Sequence, residues 1–426
     1  MGVNKKAESG DILKFLITSN STGQKKDISR LVTELNYEES VFDVSIRVSA
    51  VVIDSAADPS FVVVLSVLEE LKVAGGELVE LEFMDNNDNT YELEMYIDEI
   101  VGSSNNTKDQ TYFITLCSEE LLLNESKRVR KKFEGKISDS ISTILTRDLG
   151  TTKELTVDET INKFNFLGVN YKPFYWCLSL AKKSVPFKQG QVAGYLFFEN
   201  YTGYHFRAID ELFDQDEKRK YIYNETVKTL PPDFDAKIME YNMRSNMQFQ
   251  KNLSTGSYNT EKFDFNPQEQ TYDENKFAYT DQEGGINIPA KTNVTEYVNP
   301  KFISEPSRYF TYMKDVGTLP EGTSLEKQLD KSAEENLQLP DIAAQAAMRY
   351  QQAFTIQMEI TIPADMGVNV GDIVFVDVPE ISSRKQRVPD PEEANSGLYM
   401  ISELCHKLTP NRSVSKLILV RDSYDR

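Results

Sequence analysis

The chain carries one β-pattern twice, once near each end. Phe354-x-Ile356-x-Met358-x-Ile360 repeats Phe42-x-Val44-x-Ile46-x-Val48. Gly371-Asp372-Ile373-Val374-x-Val376-x-Val378 repeats Gly76-Glu77-Leu78-Val79-x-Leu81-x-Phe83. Leu398–Leu404 repeats Glu94–Ile100, and Leu417–Val420 repeats Phe113–Leu116. Ile100 to Leu116 and Leu404 to Val420 span the same interval, while insertions break the spacing earlier in each half. Four segments matching in the same order point to two related β-units around an inserted middle.

Each copy reads as strands. Phe42, Val44, Ile46 and Val48 alternate with Asp43, Ser45, Arg47 and Ser49, the period of two that puts one row on each sheet face. After Gly75-Gly76, Val79, Leu81 and Phe83 share a face opposite Glu80 and Glu82. Asp85–Thr90 reads as a hairpin loop. Tyr91–Ile100 then sets Leu93, Met95 and Ile97 against Glu92, Glu94 and Asp98, and Tyr112–Cys117 adds a further strand. Short strands punctuated by turns predict a barrel or a sandwich.

The middle is mixed. Lys136–Leu149 spaces Ile137, Ile141, Ile144 and Leu145 as a helix, and Pro173–Ser184 reads as a helix entered through proline. Tyr195–Asn200 and Tyr204–Arg207 form a predicted hairpin, followed by a helical turn over Ala208–Phe213. From about Asn242 to Pro340 the chain is polar, with spaced Tyr and Phe, and predicts a loop-rich excursion. Pro340–Ala353 reads as a helix rich in alanine.

Composition bounds the chemistry. The 426 residues predict two to four domains at roughly 150 residues each. Asp and Glu number 67 against 47 Lys and Arg, for a net charge of −20, the wrong sign for general nucleic-acid or anionic-membrane binding. The first 118 residues hold nine basic and 21 acidic residues, a net of −12. Glu80, Glu82, Glu92, Glu94 and Asp98 fall on strand faces opposite the apolar rows, as a solvated sheet face or as an acidic surface toward a water-filled passage or a partner. Cys117, Cys177 and Cys405 are too scattered for a disulfide framework or metal spacing. His205 and His406 are the only histidines, which leaves His-based zinc sites and triads little material. Met1–Gly10 lacks the apolar core of a signal peptide, and Phe61–Val67, the longest apolar run, is too short to span a bilayer.

No phosphate-loop, dinucleotide, zinc-protease or nucleophile-elbow motif occurs. Asp85-x-Asn87-x-Asn89 starts like a calcium loop, but Thr90 stands where glycine is required and Tyr96 where the bidentate Glu belongs. Asp210, Asp214 and Asp216 precede Lys218, Arg219 and Lys220, which reads as a self-neutralising loop. His205 lies between Tyr204 and Phe206 as a packed strand histidine. Cys405 and His406 are adjacent, so on a strand they face opposite ways and cannot pair. Trp176 and Cys177 read as core. Asn224-Glu-Thr and Asn293-Val-Thr carry no weight without a secretory signal.

The hairpin Gly194-Tyr-Leu-Phe-Phe-Glu-Asn-Tyr-Thr-Gly-Tyr-His-Phe-Arg-Ala-Ile-Asp-Glu-Leu212 resembles the central baseplate hub protein of contractile-tailed, T-even-like bacteriophages. The run Asn170–Ala181, the segment Gly397–Leu408 and the segment Leu417–Ser423 are similar to the same family. The resemblance implies an α+β, β-rich fold with two similar antiparallel β-barrel (tube) domains and inserted α/β material. Three copies would form a homotrimer, a pseudo-six-fold ring related to the hub part of type VI secretion spike proteins. It implies a first tube domain over 1–118, an α/β insertion over 119–235, early strands of the second tube domain over 236–265, with Ile238–Gln250 as their core, an extended segment and helix over 266–353, and the second tube domain over 354–426. The implied role is non-enzymatic: a symmetry adaptor in the virion tail baseplate, made in the host cytoplasm, without cofactor or membrane anchor. Its implied partners are the tail tube protein, the trimeric spike protein and baseplate wedge proteins, with tape-measure protein and DNA in transit past an acidic lumen. Two alternatives stand beside it: the hub of another contractile injection machine, and a carboxylate-based cell-wall glycosidase.

Overall fold

Period-two alternation makes strands with one row to hide and one row to leave in water, and the chain folds around that rule. The computed structural model describes residues 10–55, 67–105, 109–188, 192–223, 236–245, 249–256, 258–267, 270–278, 292–293, 299–315, 323–332, 336–337, 339–378, 395–410 and 412–425. The run Phe61–Val67, except Val67, lies outside these residues, as do Asn224 and parts of the 266–340 segment.

The N-terminal part supplies β1 (Asp11–Thr18), β2 (Lys25–Asp27), β3 (Val32–Ser40), β4 (Arg47–Ser55), α1 (Val67–Leu71), β5 (Leu78–Met84), β6 (Thr90–Asn105) and β7 (Asp109–Cys117). The inserted part supplies α2 (Glu119–Ser126), β8 (Lys132–Phe133), α3 (Ile137–Thr143), β9 (Leu155–Val157), β10 (Phe166–Leu167), α4 (Pro173–Ala181), β11 (Tyr195–Asn200), β12 (Gly203–Ala208), α5 (Ile209–Phe213) and β13 (Glu217–Ile222). Next come β14 (Glu240–Ser245), α6 (Phe249–Ser254), β15 (Asn259–Asn266), β16 (Thr271–Ala278), β17 (Thr292–Asn293), α7 (Pro300–Ile303), β18 (Arg308–Met313), α8 (Leu325–Ser332) and α9 (Leu339–Ala353). The chain ends with β19 (Ile356–Pro363), β20 (Ile373–Asp377), β21 (Gly397–Thr409), β22 (Arg412–Arg421) and β23 (Ser423–Asp425). The fold is β-rich, and no helix among the described residues is long and apolar enough to cross a membrane.

The repeat reappears as topology. Strand order β3-β4-β7-β6-β5 in the N-terminal part is matched by β14-β19-β22-β21-β20 in the C-terminal part. The two separate closed barrels expected from the resemblance are not seen among the described residues. No sheet closes among the described residues; one 13-stranded sheet runs β14-β19-β22-β21-β3-β4-β7-β6-β5-β1-β2, with β13 and β20 branching from β21. The reason is β21, 13 residues long. Its first residues pair with β20, Val376 opposite Gly397 and Ile373 opposite Met400. Its later residues outrun β20 and pair with β3, Glu403 opposite Ser40 through Leu408 opposite Leu35. A repeat shows which strands are alike, but not which edges meet.

Another difference lies at Phe42. The expected strand from Phe42 starts only at Arg47, because Val41 N–H donates to Ser402 O and Asp43 N–H turns back to Ser40 O. Phe42 is left 53% exposed against Phe354, with ring centroids 4.9 Å apart. The preceding β3 hides its period behind a bulge between Val32 and Glu34 and a glutamate, Glu39, at an inward position. The segment expected to be loop-rich contains a three-stranded sheet, β16-β15-β18, because its spaced Tyr and Phe alternate at strand period.

Two cores hold the molecule. Tyr37, Val48, Phe83, Tyr91, Met358, Ile360, Tyr399 and Leu417 belong to one core that spans both repeats. Ile141, Leu145, Trp176, Cys177 and Phe206 belong to a second, in the insertion. The predicted hairpin β11–β12 forms with Tyr195 opposite Ala208 and Asn200 opposite Gly203. All of β11 is buried, because alternate side chains feed the two cores: Tyr195 and Phe197 the insertion, Leu196 and Phe198 the shared core. At about 1.5–3 kcal/mol per large apolar side chain buried, this strand fastens the insertion to the sheet.

A polar sheet face as the candidate functional site

The five acidic residues singled out in the sequence come together on β5 and β6. Antiparallel register sets Glu80 opposite Glu94 and Glu82 opposite Glu92. Like charges directly opposite cost rather than stabilise. Val79, Leu81, Phe83, Tyr91, Met95 and Ile97 take the buried side. Glu92, Glu94 and Asp98 are exposed, and Glu80 and Glu82 half-buried. Glu80 alone is well neutralised: it pairs with Lys14 and, at 2.8 Å, with Lys25. Hydrogen bonds from those two ammonium groups hold its carboxyl at about 2. Asp98 has Arg47 at 3.8 Å.

Further along the same sheet, beyond what sequence reading identified, the polar row continues through Arg47, Glu38, Glu403, Lys416, Glu359 and Arg244. These side chains line a cavity of about 510 Å³ with Phe42, Leu404 and Ile418 as its apolar part. Arg244 bonds Glu359 at 3.0 Å, and burial raises the Glu403 carboxyl. The face is acidic at β5–β6 and mixed in charge around this cavity.

The remaining sequence candidates are dispersed. Asp85 builds its turn, accepting from Asn87 N–H at 2.8 Å and Asn89 N–H at 3.0 Å, and it also accepts from Met366 N–H at 3.0 Å. Asp210 is buried against Arg349 at 2.7 Å, whereas Asp214 sits at Lys188, 2.8 Å, on the surface. The Asp210–Asp216 cluster is therefore split. His205 bonds Asn200 and Thr202 and stacks on Phe198, and burial lowers it to about 4. Cys405 and His406 do face opposite ways. Cys405 lines the cavity, its thiol pushed up to about 11 by burial. His406 is enclosed, stacked on Tyr37 with Nδ1 at 2.7 Å from Ser415, and burial lowers it to about 3. Trp176 and Cys177 lie in the insertion core. Among the described residues no group of His, Cys, Asp and Glu is arranged to hold a metal ion.

Glu39, Glu199 and Arg349 are among the buried ionisable side chains that escaped sequence reading, because most of their partners lie far along the chain. Glu39 accepts from Tyr37 Oη at 2.6 Å, Tyr201 N–H at 2.7 Å and Val370 N–H at 2.9 Å, joining β3, the hairpin and the C-terminal repeat. Burial pushes its carboxyl up to about 7. Glu199 takes Lys153, Ser118 and the Ile46 N–H. Arg349 bridges Asp210 and Asp422, the latter at 2.8 Å.

No protein-family model matches the sequence, and no curated protein is similar enough to it to count as a match. Solved structures are similar over the whole chain. The 43 kDa tail protein of prophage MuSo2 from Shewanella oneidensis has a TM-score of 0.54 at 10% identity, covering 97% of this chain and 99% of that one. The tail protein from Neisseria meningitidis MC58 has a TM-score of 0.51 at 8% identity, covering 96% and 97%. The E. coli c3393 protein, a component of the type VI secretion system, has a TM-score of 0.41 at 8% identity, covering 97% and 77%. The first two share their fold with this chain from end to end, and the phage-tail resemblance of the sequence is matched in three dimensions.

Proposed function

We propose that this chain is the structural hub of a contractile phage tail, a symmetry adaptor between a six-fold tail tube and a three-fold spike. The observation that carries the reading is the doubled strand order, β3-β4-β7-β6-β5 and β14-β19-β22-β21-β20, in one chain. Three copies of a chain with two like units present six units upward while keeping three-fold symmetry below. The end-to-end fold likeness to two tail proteins supports the same reading. On this account the partners are other copies of the chain, the tube protein, the trimeric spike and baseplate wedge proteins, and the site of action is the virion baseplate. The polar face with Glu80, Glu82, Glu92, Glu94 and Asp98 lines the central passage, where carboxylates repel phosphate and let DNA slide, since each neutralised phosphate would add affinity.

The test is absolute mass by light scattering, alone and co-expressed with its spike, together with electron images. A trimeric ring with six like lobes is the expected result. A monomer under both conditions overturns the hub, and a ring with the five carboxylates on its outer wall overturns the passage.

A further inference from the structure

The chain as a whole is acidic, but one stretch of the insertion is not. Lys127–Lys188 holds 13 Lys and Arg against six Asp and Glu, and Lys127–Lys136 alone holds six against one. The carboxylates beside this basic segment are taken up by ion pairs: Glu134 with Lys132 at 2.5 Å, Asp148 with Lys131 at 2.9 Å, and Glu125 with Lys172. Lys127, Arg128 and Arg130 bond neutral oxygens instead. Lys127 Nζ donates to Leu149 O at 2.6 Å, Arg128 to Glu125 O at 2.8 Å and Arg130 to Asn170 Oδ1 at 2.8 Å. Such bonds hold the three cations in place without offsetting their charge.

The same surface carries apolar side chains that the fold does not hide. Gly168–Tyr171 is a tight turn, closed by Tyr171 N–H to Gly168 O at 3.1 Å. It is fastened to the basic segment by Gly168 N–H to Lys131 O and Val129 N–H to Tyr171 O, both 2.9 Å. Its central residues, Val169 and Asn170, have φ of 30° and 66°. Asparagine suits that region, whereas a β-branched residue there is strained. The core gains nothing in return, because Val169 is 55% exposed. Leu167 and Tyr171 flank it and Tyr175 follows on α4, each 48% exposed, with the two tyrosine rings stacked at 4.3 Å. Leu167 lies directly opposite Lys132 in the β8–β10 pair, and both are exposed, so apolar row and cations share one surface. Strain kept at an exposed tip points to a task for the side chain it presents.

We propose that this surface is a contact site for an anionic lipid bilayer, with Val169, Leu167, Tyr171 and Tyr175 entering the interface and Lys127, Arg128 and Arg130 lying against lipid phosphates. Each cation near such a surface strengthens binding on the order of fivefold. Aliphatic side chains enter the acyl boundary, and tyrosine suits the zone where one end is apolar and the other wet. The negative charge elsewhere on the chain is screened beyond about 8 Å at physiological salt. A nucleic acid would use the cations but not Val169 and Leu167. A bound peptide fits a groove, whereas these side chains stand about half in water at the tip of a turn. The contact is peripheral and does not depend on the hub reading.

The test is co-sedimentation of the full chain with vesicles of phosphatidylcholine alone and of phosphatidylcholine mixed with phosphatidylglycerol. Two variants are run beside the parent. Arg128→Gln with Arg130→Gln keeps donors and removes charge; Val169→Asn suits the turn and removes the apolar tip. The parent should bind the vesicles containing phosphatidylglycerol at least about tenfold better than the neutral ones, and the double variant should lose about tenfold of that binding. Val169→Asn should weaken binding severalfold although its urea midpoint equals or exceeds that of the parent. No binding, or no preference for phosphatidylglycerol, overturns the site. Equal binding by the parent and Val169→Asn overturns the insertion of the tip. Displacement by inorganic phosphate at constant ionic strength makes the patch a free-phosphate site, and retention of oligothymidylate or polyglutamate in place of vesicles makes it a nucleic-acid or acidic-peptide site; either overturns the lipid contact. Light scattering on the same protein reports on the hub separately, so failure of one reading leaves the other standing.

Discussion

Buried Glu39 and His406 and half-buried His205 each tie the stability of the fold to pH, and they pull in opposite directions. Glu39 is held neutral up to about 7 by burial, against 4.5 when free, so between those values the folded chain binds the extra proton and acid stabilises it. His406 and His205 are lowered to about 3 and about 4 from 6.5, so between those values the unfolded chain binds the extra protons and acid destabilises the fold. Around pH 5–6 Glu39 and the two histidines therefore act in opposite directions on stability. One proton corresponds to a slope of about 1.4 kcal/mol per pH unit. Urea unfolding across this window should show Glu39→Gln losing stability toward pH 5 more steeply than the parent, by about that slope. His406→Gln should lose it less steeply by a similar amount. Parallel profiles for parent and Glu39→Gln would mean that Glu39 is ionised in the fold at neutral pH, its three donors outweighing burial.

At the level of elements, alternation and turns were legible, and long-range pairing was not. The faces of β5 and β6 follow from their residues alone, as does the β11–β12 hairpin. β3 was hidden because Glu39 occupies a core position, made tolerable by donors from Tyr201 and Val370, which no local pattern announces. The acidic face could be seen in the sequence, but its extension through Glu38, Glu403 and Arg244 depends on β21 meeting β3 and β14 meeting β19, contacts between distant segments. The turn of the hairpin is just as exacting. Gly203 has φ of 137°, and a Cβ there would lie 2.3 Å from Glu154 O, the acceptor of the Tyr204 N–H bond that docks β12 beside β9. Gly203→Ala should cost on the order of 2 kcal/mol or more. Amide exchange should show the Tyr204 N–H unprotected while the β21–β22 amides stay protected. Unchanged protection at Tyr204 would show that the β9 segment simply shifts aside.

For the whole molecule, the net charge of −20 is spread unevenly, and its effect on polyanions is open to measurement. If the acidic face borders a passage for DNA, the parent protein is not retained on duplex DNA at physiological salt. A variant with Glu82→Lys, Glu92→Lys and Glu94→Lys should be retained at low salt and released as salt rises, with the steep log–log dependence of phosphate contacts. Retention of the parent equal to that of the variant would remove the sliding argument. The seam between β21 and β3 has its own consequence for assembly. Its two strands are tethered in one chain, so they meet at a high effective concentration, and the seam forms without the loss of translational freedom that joining separate molecules requires. In a ring built of such chains, every second junction is therefore preassembled. Only the alternate junctions depend on encounter, and the bend already set inside each chain guides them.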